Sequence, residues 1–252
     1  MVEGEYYSTR DIEALIPGLA PKAVGWGQYF NGEKEVYFYL GEFRDLDFSS
    51  PPDPAHFIDR VVEMHQKGVS PNGMFGYQVP TACGIMERTL DWEKDWVKAF
   101  TRQLDNVIQY DNETNGPWPQ LETALNHLKA AVIPRLLGVL QSDGRDIVPT
   151  LIHGDLWEQN IAHDMETGEM TWFDAGCLYA HNEMEFGGWR CTWASSLRSP
   201  LYQRLYQREI EPSEPAEEWD DRNRLYAIRC HINEAAGHPG SDTRAMQVPL
   251  PL

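Results

Sequence analysis

Two short loops constrain this chain more than anything else in it. The first is His153-Gly154-Asp155-Leu156-Trp157-Glu158-Gln159-Asn160, in which an Asp and an Asn stand five positions apart. The second is Trp172-Phe173-Asp174-Ala175-Gly176, where another Asp follows a short apolar run. Thr150-Leu151-Ile152 reads as a strand entering the first loop, and Asn160-Ile161-Ala162-His163 as one leaving it. Thr167-Gly168 is a turn signal, and Met170 to Phe173 returns as a strand into Asp174. A fold that accepts this stretch has to set two loop tips side by side, each carrying hard oxygen donors. Turns capped by Asp and Asn for purely structural reasons are the competing account.

The layout resembles the catalytic and metal-binding loops of protein-kinase-like phosphotransferases. There the first Asp accepts the proton of the substrate hydroxyl, while the Asn and second Asp hold magnesium against the phosphates of ATP. The residue types suit that chemistry. Phosphoryl transfer needs positioning and charge neutralisation more than covalent help. Magnesium prefers hard oxygen ligands and keeps some of its waters, so one carboxylate, one amide oxygen and the phosphates suffice. A base has to reach the hydroxyl and stay unligated, which an Asp on a separate arm of the loop can do. Asp155 is therefore expected as the base, and Asn160 and Asp174 as Mg2+ ligands, with His153 and Gly154 shaping the turn.

Composition narrows the setting. At 252 residues and 42% apolar, the chain can fill a core in one or two domains. It has no run of eighteen apolar residues, so no membrane span is expected. Met1-Val2-Glu3-Gly4-Glu5 carries neither a basic region nor an apolar signal segment. Cys83, Cys177, Cys191 and Cys230 show no CxxC or metal spacing and read as reduced thiols of a cytoplasmic protein. A net charge of -18 argues against nucleic acid, whose phosphates it would repel.

Taken in order, Ser8 to Pro17 reads as a helix capped by Ser8 or Thr9 and closed by Pro17-Gly18. Lys22 to Phe30 and Glu35 to Phe43 read as strands joined at Asn31-Gly32. Asp45 to Pro54 is polar and Pro-rich, the best boundary between lobes. A helix from Pro54 carries Phe57, Val61, Val62 and His65 on one face. Val69 to Gly84 looks irregular. Asp91 to Tyr110 and Pro119 to Leu140 read as helices, the latter bent at Pro134. Ser199 to Tyr206 and Asp220 to Ala236 look helical, with Glu211 to Glu218 an acidic linker between them.

Ordered matches extend the resemblance over roughly Glu3 to Glu234. They include Gly4-Glu5, Phe38 to Phe43, Ser70 to Gly76, Trp92 to Trp96, Ile133 to Leu137, His153 to Asn160, Phe173-Asp174, Tyr179 to Glu183 and Asp220 to Tyr226. On these the chain resembles the fructosamine kinase (ketosamine-3-kinase) family, and most nearly its fungal protein-ribulosamine kinase members. The resemblance implies an α+β, protein-kinase-like fold of the aminoglycoside phosphotransferase type. A truncated N-lobe is expected over 1–47, a mainly helical C-lobe over 48–237, and a flexible tail over 238–252. It implies ATP and Mg2+ as cofactors. It also implies transfer of the ATP γ-phosphoryl group to the 3-hydroxyl of a ketosamine on a glycated protein, which then loses the sugar. Glu42 and Phe43 would join the lobes and meet adenine through their backbone. Glu5 would be the helix glutamate that pairs with the nucleotide-binding lysine, and Trp157 and His181 would line the sugar side.

Other accounts stay open for these residues. Glu5 fits a solvated charge, Glu42 a surface strand position, Trp157 packing under the loop, and His181 a core or turn histidine. His163-Asp164 beside His153 and Asp155 lacks the further ligands that a hydrolytic metal site needs. The chain also departs from the family. It begins at the glutamate helix, without the Gly-rich loop and strand lysine that precede it in kinase-like folds, so weaker ATP binding is expected. Gln159 stands where the family has Gly, and Val248 to Leu252 do not look like its last helix. An uncovered edge of the strand pair is expected to invite a second copy, giving a homodimer. A catalytically inactive, kinase-like binding module is the alternative function.

Overall fold

The computed structural model of the chain describes residues 1–240 and Arg244. The first helix, α1 (Val2–Leu15), starts six residues before the expected cap. Ser8 is no cap: it lies inside the helix, fully buried, and its Oγ accepts the Cys177 amide at 2.9 Å. A helix hydroxyl used to anchor a loop in another part of the fold leaves no signal in local propensity. Strands β1 (Ala23–Phe30) and β2 (Glu35–Gly41) then pair antiparallel, with Asn31 Oδ1 accepting the Glu33 and Lys34 amides in the turn. Both strands pack against α1, but Val24, Tyr29, Phe30, Tyr37 and Leu40 remain exposed.

The connector expected as a bare linker contributes strand β3 (Leu46–Asp47). It pairs with β7 (Ile161–Asp164), which in turn pairs with β8 (Met170–Trp172), so the connector is already part of the larger lobe's sheet. Helix α2 (Pro54–Lys67) begins as its sequence demands: Asp53 accepts the His56 amide at 2.9 Å and Pro54 occupies the first turn. Its buried face is Phe57, Ile58, Val61, Val62, Met64 and His65.

The segment read as irregular, Val69 to Gly84, ends in strand β4 (Thr81–Cys83), which pairs with β5 (Met86–Arg88) just beyond it. Helix α3 (Trp96–Asn115) starts later than expected, capped by Asp95, because Glu93 is engaged in a bridge with Phe75. The long helix expected from Pro119 divides into α4 (Pro119–His127), a π turn (Leu128–Val132) and α5 (Ile133–Gly138). Pro134 lacks the N–H that would continue a regular ladder, and the π turn stands just before it.

Strand β6 (Thr150–Ile152) pairs with β9 (Leu178–Ala180), which closes the two functional loops between them. A 3-10 segment (Asn182–Arg190), α6 (Pro200–Glu209) and α7 (Trp219–Gly237) complete the lobe. Its core centres on Phe57, whose ring lies 5.6–5.8 Å from those of Trp172, Trp189 and Tyr202. Such buried aromatic clusters carry much of a core's apolar burial. The tail expected over 238–252 lies outside the described residues apart from 238–240 and Arg244, whose Nη2 donates to Asp111 Oδ2 at 2.9 Å. No described helix is long and apolar enough to cross a membrane.

Candidate active site

His153 is the joint between the two loops. It is fully buried, and burial lowers its pKa despite the nearby Glu185, Asp155 and Asp174 charges. The ring is therefore neutral. Its Nδ1 faces the Asp155 amide at 3.3 Å and must accept, so Nε2 carries the hydrogen and donates to Phe173 O at 3.2 Å. One imidazole thus ties the residue before Asp174 to the start of the Asp155 loop. A second tie runs from the Gly176 amide to His153 O at 3.1 Å, and a third from the Phe173 amide to Asn160 O at 3.2 Å.

The three expected site residues meet in this frame. Asn160 is buried, and its Nδ2 donates to Asp155 O at 2.8 Å and faces Asp155 Oδ2 at 3.4 Å, which leaves its Oδ1 for a cation. Asp174 is exposed at the cleft and adopts a left-handed backbone, φ 53°. That conformation costs a non-glycine residue about 1–2 kcal/mol, and strain of this kind gathers at functional sites. Neighbouring atoms crowd the Asp174 carboxyl and raise its pKa, and the Asp155 charge raises it further. A divalent cation between them would relieve that repulsion. Among the described residues no cluster of three or more His, Cys, Asp or Glu side chains could hold a metal alone. The Asp174 carboxylate and the Asn160 amide oxygen fit magnesium that takes its remaining ligands from phosphates and water, with Asp155 left unligated beside them.

The remaining expected residues divide. Glu5, on α1, is half-buried, and its carboxyl is raised by burial and then by the Asp174 charge, so Glu5 lies near Asp174. Glu42 is exposed at the end of β2. Its amide donates to Lys22 O at 2.9 Å, so any adenine contact at this residue falls to its carbonyl. The Lys22 amide and the Arg44 guanidinium hold its carboxylate below the usual range. Phe43 is 88% exposed. Trp157 is half-buried two residues after Asp155, its ring edge-on to Trp193 at 5.2 Å. His181 is a correction. It is 1% exposed, with Nδ1 2.8 Å from Tyr226 Oη and Nε2 2.9 Å from Ser213 Oγ. Burial pushes its pKa down to about 4. It is a satisfied core histidine, and the sugar side of the cleft has to be lined by other groups. A cavity of about 340 Å3 lined by Arg10, Asp11, Lys67, Trp92 and Tyr179 includes none of Asp155, Asn160 and Asp174.

A protein-family model described as fructosamine kinase matches residues 1–248. The chain belongs to the fructosamine kinase family. A chloroplastic protein-ribulosamine 3-kinase of Arabidopsis thaliana is 25% identical over 240 residues, covering 92% of this chain and 66% of the relative. A ketosamine-3-kinase of Mus musculus is 31% identical over 190 residues, covering 69% of this chain and 53% of the relative. The chain therefore spans about half to two thirds of the length of these curated relatives. Among solved structures, a Haemophilus somnus protein provisionally named fructosamine-3-kinase superposes with a TM-score of 0.70 at 16% identity, over 98% of this chain and 77% of that one. An aminoglycoside phosphotransferase superposes at 0.61 and 15% identity, over 97% and 80%. These likenesses show the fold, protein-kinase-like and α+β as expected.

Within this member of the fructosamine kinase family, sequence reasoning missed the groups that hold the loops. Glu185, 5% exposed, accepts the His153 amide at 2.6 Å and the Gly154 amide at 3.0 Å. Its signal was an acidic residue between Met184 and Phe186, both buried. Arg44 bonds Gly18 O, Ala20 O, Glu42 and Thr171 Oγ1 and so fastens the hairpin end to β8. Nothing in its local sequence marks it.

Proposed function

We propose that this chain carries the acceptor-activating and metal-holding part of an ATP-dependent phosphotransferase. Its acceptor is the 3-hydroxyl of a ketosamine, ribulosamine or fructosamine, on a glycated protein or a small amine. The observation that carries the reading is the meeting of Asp155, Asn160 and Asp174 at adjoining loop tips. Asp155 would take the hydroxyl proton, since it lies on the side of the loop that Asn160 braces. Asn160 and Asp174 would hold Mg2+, which when bound neutralises charge on the transferred phosphoryl group. Trp157 would wall the sugar side, and the backbone of Glu42 and Phe43 would meet adenine. Four free cysteines suit a reducing, cytoplasmic setting. The exposed apolar groups of β1 and β2 suit a homodimer through that hairpin.

One observation favours a second reading, a kinase-like module that binds without turnover. Glu5 has its carboxyl raised by burial and then by the Asp174 charge, the setting of one acid beside another rather than of a glutamate paired with a lysine. The experiment is magnesium-dependent phosphorylation of a ribulosamine or fructosamine acceptor, measured for the wild type and Asp155→Asn. Turnover in the wild type that Asp155→Asn abolishes supports the kinase. Turnover that survives the substitution moves the base elsewhere. Mg·ATP binding with no turnover on any ketosamine favours the module.

A further inference from the structure

The β4–β5 hairpin supplies a side chain that touches both functional loops. Arg88 is 1% exposed. Its Nη2 donates to Gly176 O, to Ala82 O at 2.9 Å and to Thr81 Oγ1 at 3.3 Å, while Nη1 reaches Gly154 O at 3.5 Å. Gly154 immediately precedes Asp155, and Gly176 follows Asp174 by two residues. A Cβ on either glycine would crowd Arg88 Nη2, so both loops lack side chains where the guanidinium passes. The same hairpin places Cys83 Sγ 3.4 Å from Asp155 Oδ1, where the thiol donates to the carboxylate. A buried guanidinium is costly unless charge and carbonyl dipoles surround it, and here both do: Asp155 lies nearby and three backbone carbonyls face it.

We propose that Arg88 is a positioning residue that sets the spacing between Asp155 and Asp174, so that the cleft offers a preformed seat for a divalent cation carrying a nucleotide. The inference rests on the phosphotransferase reading. His153 also joins the two loops, but it belongs to one of them. Arg88 is anchored in a third element, so it can hold both loops against a fixed reference. A guanidinium holds its donors in a rigid planar fork that reaches carbonyls from separate nitrogens, here Nη2 to Ala82 and Gly176 and Nη1 to Gly154. A lysine in its place keeps the charge but loses the fork.

The test compares wild type, Arg88→Ala and Arg88→Lys in two measurements. The first is Mn2+·ATP affinity, read from the electron paramagnetic resonance signal of free Mn2+. The second is amide hydrogen exchange over residues 153–156 and 174–177, with α3 as the internal control. Supporting groups around metal ligands typically change affinity by about 10–100-fold, and a loss in that range is expected in both variants. Exchange should rise in both loops together while α3 stays protected. If Arg88→Ala does not fold, Arg88→Lys decides, because it keeps the buried charge. Affinity within about twofold of wild type in a folded variant, well short of the usual supporting-group effect, overturns the proposal. Should the wild type bind no Mn2+·ATP, the phosphotransferase reading fails. The brace is then judged by exchange alone, and unchanged exchange in both loops overturns it.

Discussion

Replacing Glu185 by Gln tests whether the Asp155 loop is held from beneath by one buried carboxylate. Glu185 accepts two backbone amides, from His153 at 2.6 Å and Gly154 at 3.0 Å, while 5% exposed. His65 Nε2 stands 3.8 Å away, an ion-pair distance rather than a hydrogen bond. Gln keeps one acceptor oxygen and presents an NH2 to the other amide. One charge-assisted bond becomes neutral and one buried N–H is left without an acceptor, for a combined loss of about 2–4 kcal/mol. Urea unfolding at pH 7 measures this directly, and turnover should fall with it because Asp155 follows Gly154. The pH dependence carries a sign. Burial alone would raise the Glu185 carboxyl, but His65 and the His153 backbone amide outweigh it and hold it below its ordinary value. The bonus is therefore present above the ordinary carboxylate range and is lost as pH falls through the depressed folded-state value. The stability gap between wild type and Glu185→Gln should narrow as the solution is acidified below pH 4.5, the ordinary value. A gap that stays constant with pH, or a loss under about 0.5 kcal/mol, the usual range of surface substitutions, would refute the reasoning.

Further outcomes follow from the same geometry. Gly176→Ala should lower stability by about 1–3 kcal/mol, because its Cβ would collide with Ala82 O and Arg88 Nη2; an unchanged thermal melt argues against that close approach. The raised Asp174 carboxyl predicts that Mn2+ binding weakens with acid at a higher pH than the ordinary 3.8 of an aspartate. A Mn2+ titration series that stays flat down to pH 4 would contradict it. Asp174→Asn should weaken Mn2+ binding at every pH while leaving the fold intact by circular dichroism. The exposed β1–β2 hairpin predicts a concentration-dependent dimer by light scattering, lost when Tyr29 and Tyr37 are replaced by Lys; a monomer at all concentrations removes that inference.

The parts of the fold legible in the sequence were those that local chemistry determines. Asp53-Pro54 started α2 as expected, and Asn31-Gly32 turned the first hairpin. The Asp155 and Asp174 loops were legible as adjoining tips because the short apolar strands around them, β6, β7 and β8, could be read from the sequence. Failures came where distant atoms decide. Ser8 looked like a cap because its true partner, the Cys177 amide, lies 169 residues away in sequence. His181 looked available because nothing nearby in sequence announces Tyr226 and Ser213. Arg88 and Glu185 escaped notice because their work is done on backbone atoms, and a backbone acceptor has no letter in the sequence.

Arg44 has a consequence for how ligands come and go. Its guanidinium grips the turn after α1 at Gly18 and Ala20, the connector at Glu42, and the floor strand at Thr171. Rocking the turn after α1 away from the floor strand would break the Thr171 contact or those to Gly18 and Ala20. Entry and exit should therefore occur through small fluctuations at the lip of the cleft rather than through a wide swing of one half against the other. Arg44 shares this duty with Leu19, whose carbonyl takes the Trp172 amide at 2.7 Å, so the roof is riveted at more than one point.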